Sequence, residues 1–192
     1  PSQLMSALAV CAVLVPLTAR AEVTKVTIAS RTGAANGQPF GSVGPYEKLT
    51  GTIEFALDPA NPRNKRIIDL DVAARGSDGR VHFSADLYVL QPVDPSRGNG
   101  TLLFEIANRG RKGILGRFNR AGANQDPTAA ADFGDGFLMK DGYTVVWVGW
   151  QFDVQPPNLR VVAPPVSVPG RVRVTFIPDD KRTEMAPADL PE

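Results

Sequence analysis

Apolar and polar positions alternate along much of the first half of the chain. A period of two is the mark of strands with one face turned to a core. In Val23–Ala29, Val23, Val26 and Ile28 sit in a β-branched run. In Thr52–Leu57, Ile53, Phe55 and Leu57 oppose Thr52, Glu54 and Ala56. Ile67–Ala73 places Ile68, Leu70 and Val72 on one side. The alternation is cleanest in Val81–Leu90, where Val81, Phe83, Ala85, Leu87 and Val89 oppose His82, Ser84, Asp86, Tyr88 and Leu90. Four strands of this kind predict an antiparallel sheet with one solvated face. Turn-rich stretches separate them: Arg31–Pro45 with Asn36-Gly37 and Gly44-Pro45, Asp58–Pro62, Gly76–Gly79 and Gln91–Gly100. There Gly supplies positive φ and Pro fixes φ.

The pattern then changes. Thr101–Ala107 is a nearly continuous apolar run, which predicts a strand covered on both sides, as in a parallel sheet. It breaks into Asn108-Arg109-Gly110-Arg111-Lys112-Gly113, polar and glycine-punctuated. Tyr143–Trp150 is the next comparable run. Between them Asp126-Pro127 reads as a helix N-cap followed by Pro at the first helical position. Thr128–Lys140 is the helix, expected short or broken because Gly134 and Gly136 weaken it, with Gly142 as its C-cap glycine. Strand, helix and strand predict a βαβ unit with a right-handed crossover. The fold class expected is therefore mixed α/β: an antiparallel β-rich front leading into a partial parallel sheet. Past Asp153 the chain is Pro-rich, with one further strand expected over Arg171–Ile177 and a polar end.

Composition narrows this only a little. The chain has 192 residues with 43% hydrophobic and 21% charged, the profile of one globular domain. Lys plus Arg is 21 against 20 acids, so no basic excess points to nucleic acid. Residues 1–21 carry an apolar run, Leu4–Leu17, and a small-x-small close, Ala19-Arg20-Ala21. They read as a secretory signal peptide, which predicts a periplasmic or secreted protein with no stable membrane insertion after cleavage. A lipobox reading of Leu8–Cys11 is weaker, since the apolar run continues past Cys11 and Val10 fits poorly. Residues 22–192 are then the mature portion.

The candidate chemistry is sparse. Cys11 and His82 are the sole Cys and His, so no disulfide within the chain and no Cys/His metal site can form, and no cofactor is expected. There is no G-x-S-x-G, P-loop, G-x-G-x-x-G or H-E-x-x-H. His82, Ser84 and Asp86 share a strand face, but same-face neighbours lie about 6–7 Å apart, too far for a triad. His82 therefore reads as a solvated surface residue. What remains is the loop Asn108–Gly113, where Asn108, Arg109 and Gly110 could form the oxyanion side of an acyl-transfer site. The alternative is that Asn-Arg-Gly simply turns the chain and Arg109 pairs with an acid. Trp150 and Gln151 at the end of the later strand could line a pocket. Trp147 and Trp150, three apart, are expected on opposite faces, one more exposed than the other.

Three phrases resemble a known family. GPYEKLTGTIEFALDPANPRN (Gly44–Asn64), FSADLYVLQPVDPSRGNGTLLFEIANRG (Phe83–Gly110) and DFGDGFLMKDGYTVVWVGWQFDV (Asp132–Val154) look like the N-terminal part of secreted bacterial α/β-hydrolase domain-containing proteins. The resemblance implies a partial α/β-hydrolase sheet with Asn108–Gly110 as its oxyanion-side loop. It also implies a serine hydrolase acting on a small carboxylic ester, whose nucleophile, acid and base lie downstream of residue 192. This chain alone would then be inactive. The competing expectation is a non-catalytic, secreted β-rich binding module, with Trp150 and Tyr88 as contact residues.

Overall fold

The computed structural model describes residues 22–166. The expected signal peptide and the strand expected over Arg171–Ile177 lie outside the described residues. Among the described residues seven strands form one mixed sheet, and the α/β expectation is corrected: this part of the chain is β-rich, with two α-helices of only 5 and 4 residues. The strands are β1 (Glu22–Gly33), β2 (Pro39–Phe40), β3 (Gly44–Leu57), β4 (Val81–Pro92), β5 (Leu102–Glu105), β6 (Thr144–Val148) and β7 (Val161–Val162). The main path runs β1-β3-β4-β6-β5, with β2 beside β3 and β7 beside β4.

Three long strands dominate, because β-branched and aromatic residues suit a pleated, half-buried surface. β3 and β4 pair without a break from Tyr46↔Pro92 to Leu57↔Val81. β1 follows β3 antiparallel, interrupted by two register shifts. Among the described residues the one parallel contact is β5 with β6, from Leu102↔Thr144 to Glu105↔Trp147.

The expected helix over Thr128–Lys140 is broken in two. A 3-10 turn covers Ala130–Phe133, and α2 covers Phe137–Lys140. Gly134 and Gly136, at φ 57° and 70°, hold the chain in the left-handed region between them. A Cβ at Gly134 would come within 2.0 Å of the Asn119 carbonyl oxygen, so the break is built into the packing. Asp126 does not cap this segment. Asp132 does, accepting from the Thr128 and Ala129 amides at 2.9 and 2.8 Å. The other helix, α1 (Ile114–Phe118), lies in a stretch with no helical signal.

Ile67–Ala73 is not a strand. A 3-10 helix over Pro62–Arg66 runs into successive turns there, with Asp69 at φ 60°. The buried positions are Leu70 and Ala73, three apart, packed with Leu57 and Val81. The apparent alternation is a turn-like spacing read with the wrong period.

The two faces of the sheet differ. On one, Tyr46, Tyr88, Leu90, Val145 and Trp147 pack beneath Phe40, Ile114, Leu115, Phe133, Leu138 and Met139. This is the main core. On the other, Leu49, Leu87 and Val89 form a small cluster with Ile53, Val146 and Val148 against it. That second face continues outward through Val26, Ile28, Leu102, Phe104 and Ile106, all exposed. The solvated face expected for the antiparallel sheet is therefore present, but it is apolar across several strands.

Candidate functional site

β5 departs from the expectation of a strand covered on both sides. It is an edge strand; Leu102 and Phe104, and Ile106 just past its end, are exposed, Ile106 to 71%, while Leu103 packs on the main core. Its acid points inward: Glu105 is 7% exposed and Ala107 is fully buried. Four donors hold the Glu105 carboxylate. They are the Gly113 and Ile114 amides at 3.0 and 2.9 Å, Arg117 Nη1 at 2.9 Å, and the Trp147 indole N–H, its register partner on β6. Charge-assisted bonds of this number offset the burial of a carboxylate.

After β5 the chain turns through Asn108–Arg111. Arg109 and Gly110 both take positive φ, at 53° and 70°, and the Arg111 amide closes the turn on the Asn108 carbonyl at 3.1 Å. Gly110 is required here, since a Cβ would sit 2.3 Å from the Leu159 carbonyl oxygen. The Gly110 carbonyl accepts from the Leu159 amide, tying the loop to the segment before β7. Arg109 pairs with Asp153 at 2.6 Å, holding that carboxyl below its usual range. Of the two readings of Asn-Arg-Gly, the turn with Arg109 paired to an acid describes its local geometry.

The loop opens onto a cavity of about 310 Å³, next to the carboxyl end of the parallel pair β5–β6. Asn108, Arg111, Lys112, Gly113, Arg117, Gln125 and Glu105 are among its lining residues. Of the three expected oxyanion-side residues, Asn108 lines this cavity, while Gly110 shapes the turn. Arg109 faces a second cavity, shared with Arg111 and Asp153. Trp150 and Gln151 line neither. Trp150 is 54% exposed and donates to the Ala107 carbonyl at 2.5 Å, whereas Trp147 is fully buried. Gln151 has a buried Oε1 without a hydrogen-bond partner among the described residues.

Lys112 was not singled out in sequence beyond its place in the loop. It is 7% exposed, its Nζ lies 4.4 Å from the centroid of Tyr88, and the Lys112 amide donates to Gln125 Oε1 at 2.7 Å. Burial pushes its ammonium below the usual lysine range, and the attraction of Asp126 only partly opposes this. Tyr88, expected as an exposed contact residue, is core: its hydroxyl donates to Asp126, which also accepts from Lys48. No signal of period or motif could have found this group, since its members come from four separate stretches.

His82 is exposed and bonds Asp78 at 2.9 Å across the Gly76–Gly79 turn, without a serine in the pair. Among the described residues no group of three His, Cys, Asp or Glu side chains could hold a metal, and no helix is long and apolar enough to cross a membrane. Against family models, curated proteins and solved structures, the chain finds no match.

Proposed function

We propose that this chain contributes the supporting wall of an ester-hydrolysing site in an exported serine hydrolase, the nucleophile and base being supplied by residues outside this sequence. The observation that carries the reading is the cavity at the carboxyl end of β5–β6, with Asn108 and the glycine-punctuated loop on its rim. Crevices at the carboxyl ends of parallel strands are where such sheets bind substrates. The resemblance of Gly44–Asn64, Phe83–Gly110 and Asp132–Val154 to secreted hydrolases supports the same assignment. So does the bare apolar face, which suits a sheet that packs against further structure. Among the described residues His82, the chain's one histidine, bonds Asp78 and has no serine or threonine hydroxyl as a hydrogen-bond partner.

The test is to express the chain together with whatever its gene encodes after Glu192 and to treat it with a fluorophosphonate probe. Covalent labelling of a downstream serine is expected, and Asn108→Ala is expected to lower kcat/KM about 10- to 100-fold, the range for one oxyanion donor or less. Ester cleavage by residues 22–192 alone overturns the reading. So does a stop codon directly after Glu192.

A binding module is the second reading, favoured by Trp150 and Phe152, both exposed in the stretch that follows β6. Tyr88 drops out of it because it is buried.

A further inference from the structure

The cavity beside Glu105 has an unbalanced lining. Arg111, Lys112 and Arg117 bring three cations to it, and Glu105 brings the single carboxylate. That carboxylate is already committed: Arg117, Trp147 and two amides at the start of α1 occupy it. Glu105 therefore neutralises Arg117 and leaves Arg111 and Lys112 without a carboxylate of their own on the cavity wall, Asp126 attracting Lys112 from outside that wall. Among the described residues neither side chain makes an ion pair or hydrogen bond; the Lys112 ammonium lies over the face of Tyr88, with Asp126 attracting it from beyond ion-pair distance. An unpaired cation that is 7% exposed is costly and calls for an explanation. The neutral groups on the wall are suited to the same ligand. The Gln125 Oε1 is taken by the Lys112 amide, which fixes that side chain with its NH2 as the remaining polar group. The Asn108 side chain has no partner among the described residues and lines the same space.

We propose that this cavity binds a small oxyanion, a carboxylate or phosphate group carried by a compact molecule, with Lys112 and Arg111 as its counter-charges and Asn108 and Gln125 as neutral donors. The start of α1 takes no part, since Glu105 fills it. The inference deepens the hydrolase reading by making the preferred ester one that carries an anionic group on its acid or alcohol side. Its binding step needs no turnover, so it stands or falls separately from the nucleophile.

The experiment titrates the full 192-residue chain by calorimetry with succinate, with inorganic phosphate and with chloride at equal ionic strength. Saturable binding of succinate or phosphate is expected, with chloride giving none, and the stronger of the two identifies the source of the oxyanion. Arg111→Gln and Lys112→Met are each expected to weaken binding at least tenfold. Arg111 is exposed, so its variant reports binding without a change in folding. Lys112→Met removes a buried unpaired charge, and its thermal midpoint is expected to equal or exceed that of the parent while binding is lost. Binding no stronger than chloride, or binding unchanged in both variants, overturns the proposal. Fluorophosphonate labelling without oxyanion binding would remove this inference and leave the hydrolase reading intact; the reverse pattern would do the opposite.

Discussion

The Trp147 indole N–H donates to the Glu105 carboxylate across the sheet's single parallel contact, joining two residues that are register partners on β6 and β5. The bond is buried and has a charged acceptor. Trp147→Phe keeps an aromatic ring beside Tyr88, but it removes the donor together with part of a fully buried bicyclic side chain. A loss of about 3 kcal/mol or more in urea unfolding is expected, the hydrogen bond to a charged group adding to the cost of the cavity left in the core. Arg117→Gln removes another donor to the same carboxylate, but Arg117 is exposed, so a loss of less than about 1 kcal/mol is expected. Equal losses would show that the two donors are not distinguished by burial.

Asn119 is fully buried and joins the end of α1 to α2. Its Oδ1 accepts from the Leu138 amide at 3.0 Å and its Nδ2 donates to the Phe133 carbonyl at 3.1 Å. Asn119→Ala strands both groups in the core. A cost of about 2–6 kcal/mol follows from one to three for each of the two unsatisfied groups, and chemical denaturation measures it. A change under about 0.5 kcal/mol would remove Asn119 as the clamp between the helices.

Gly110→Ala forces a Cβ against the Leu159 carbonyl at positive φ. About 1–2 kcal/mol of backbone strain is expected, plus displacement of Leu159. Hydrogen exchange gives the local readout: the Leu159 amide, which bonds the Gly110 carbonyl, exchanges faster in the variant. Unaltered protection at Leu159 would show that the loop absorbs the methyl.

Several carboxyls sit below their usual range. Asp78 is held there first by His82 and then by Arg80. Asp132 is held by Asn124 and by the Thr128 and Ala129 amides, and Asp153 by Arg109. A depressed folded-state pKa means that the unfolded chain takes up protons at higher pH than the folded one. The stabilisation is complete above the unfolded-state value, about 3.9, and is lost as pH falls from there through the folded values. The thermal midpoint is expected to be level from about pH 7 to 5 and to drop below about pH 4. Asp132→Asn lowers the midpoint at neutral pH and flattens the acid limb. An acid limb as steep as that of the parent would exclude Asp132 from it.

The bare face gives a solution signature. Phe104 and Ile106 project from β5 into solvent. The chain is expected to bind the dye ANS in its folded state, and Phe104→Lys with Ile106→Lys to reduce that binding without lowering the thermal midpoint. Undiminished dye binding in the double variant would place the site elsewhere.

How much of this was legible in the sequence depends on who a residue's partner is. β4 could be read as a strand from its regular alternation, and the structure pairs it from Val81 to Pro92, but both its faces are buried near its end: Tyr88 and Leu90, read as the polar side, join the main core, and Leu87 and Val89 the smaller cluster. The broken helix was legible because Gly134 and Gly136 act locally. The difference between Trp147 and Trp150 followed from spacing alone. The failures came where a distant partner decides. Ile67–Ala73 alternates like a strand but has no strand beside it. Asp126 looks like an N-cap, yet Lys48 and Tyr88 claim it. The apolar run Thr101–Ala107 was expected to be covered on both sides, when its one acid is what faces the core. Of the site, the loop could be placed from the sequence; the charge imbalance around Lys112 could not, since it depends on where Glu105 points.

β5 turns its charge inward and its oils outward, and this affects how the strand finds its place. Slipped by one residue, it would bury Leu102, Phe104 and Ile106 and expose Glu105, an arrangement that apolar burial alone rewards. Four donors, on Gly113, Ile114, Arg117 and Trp147, together with the inward packing of Leu103 and Ala107, select against it. All four donors come later in the chain than β5. The alignment of this strand is thus proofread by a polar latch, and the latch closes only after the residues that follow it have arrived.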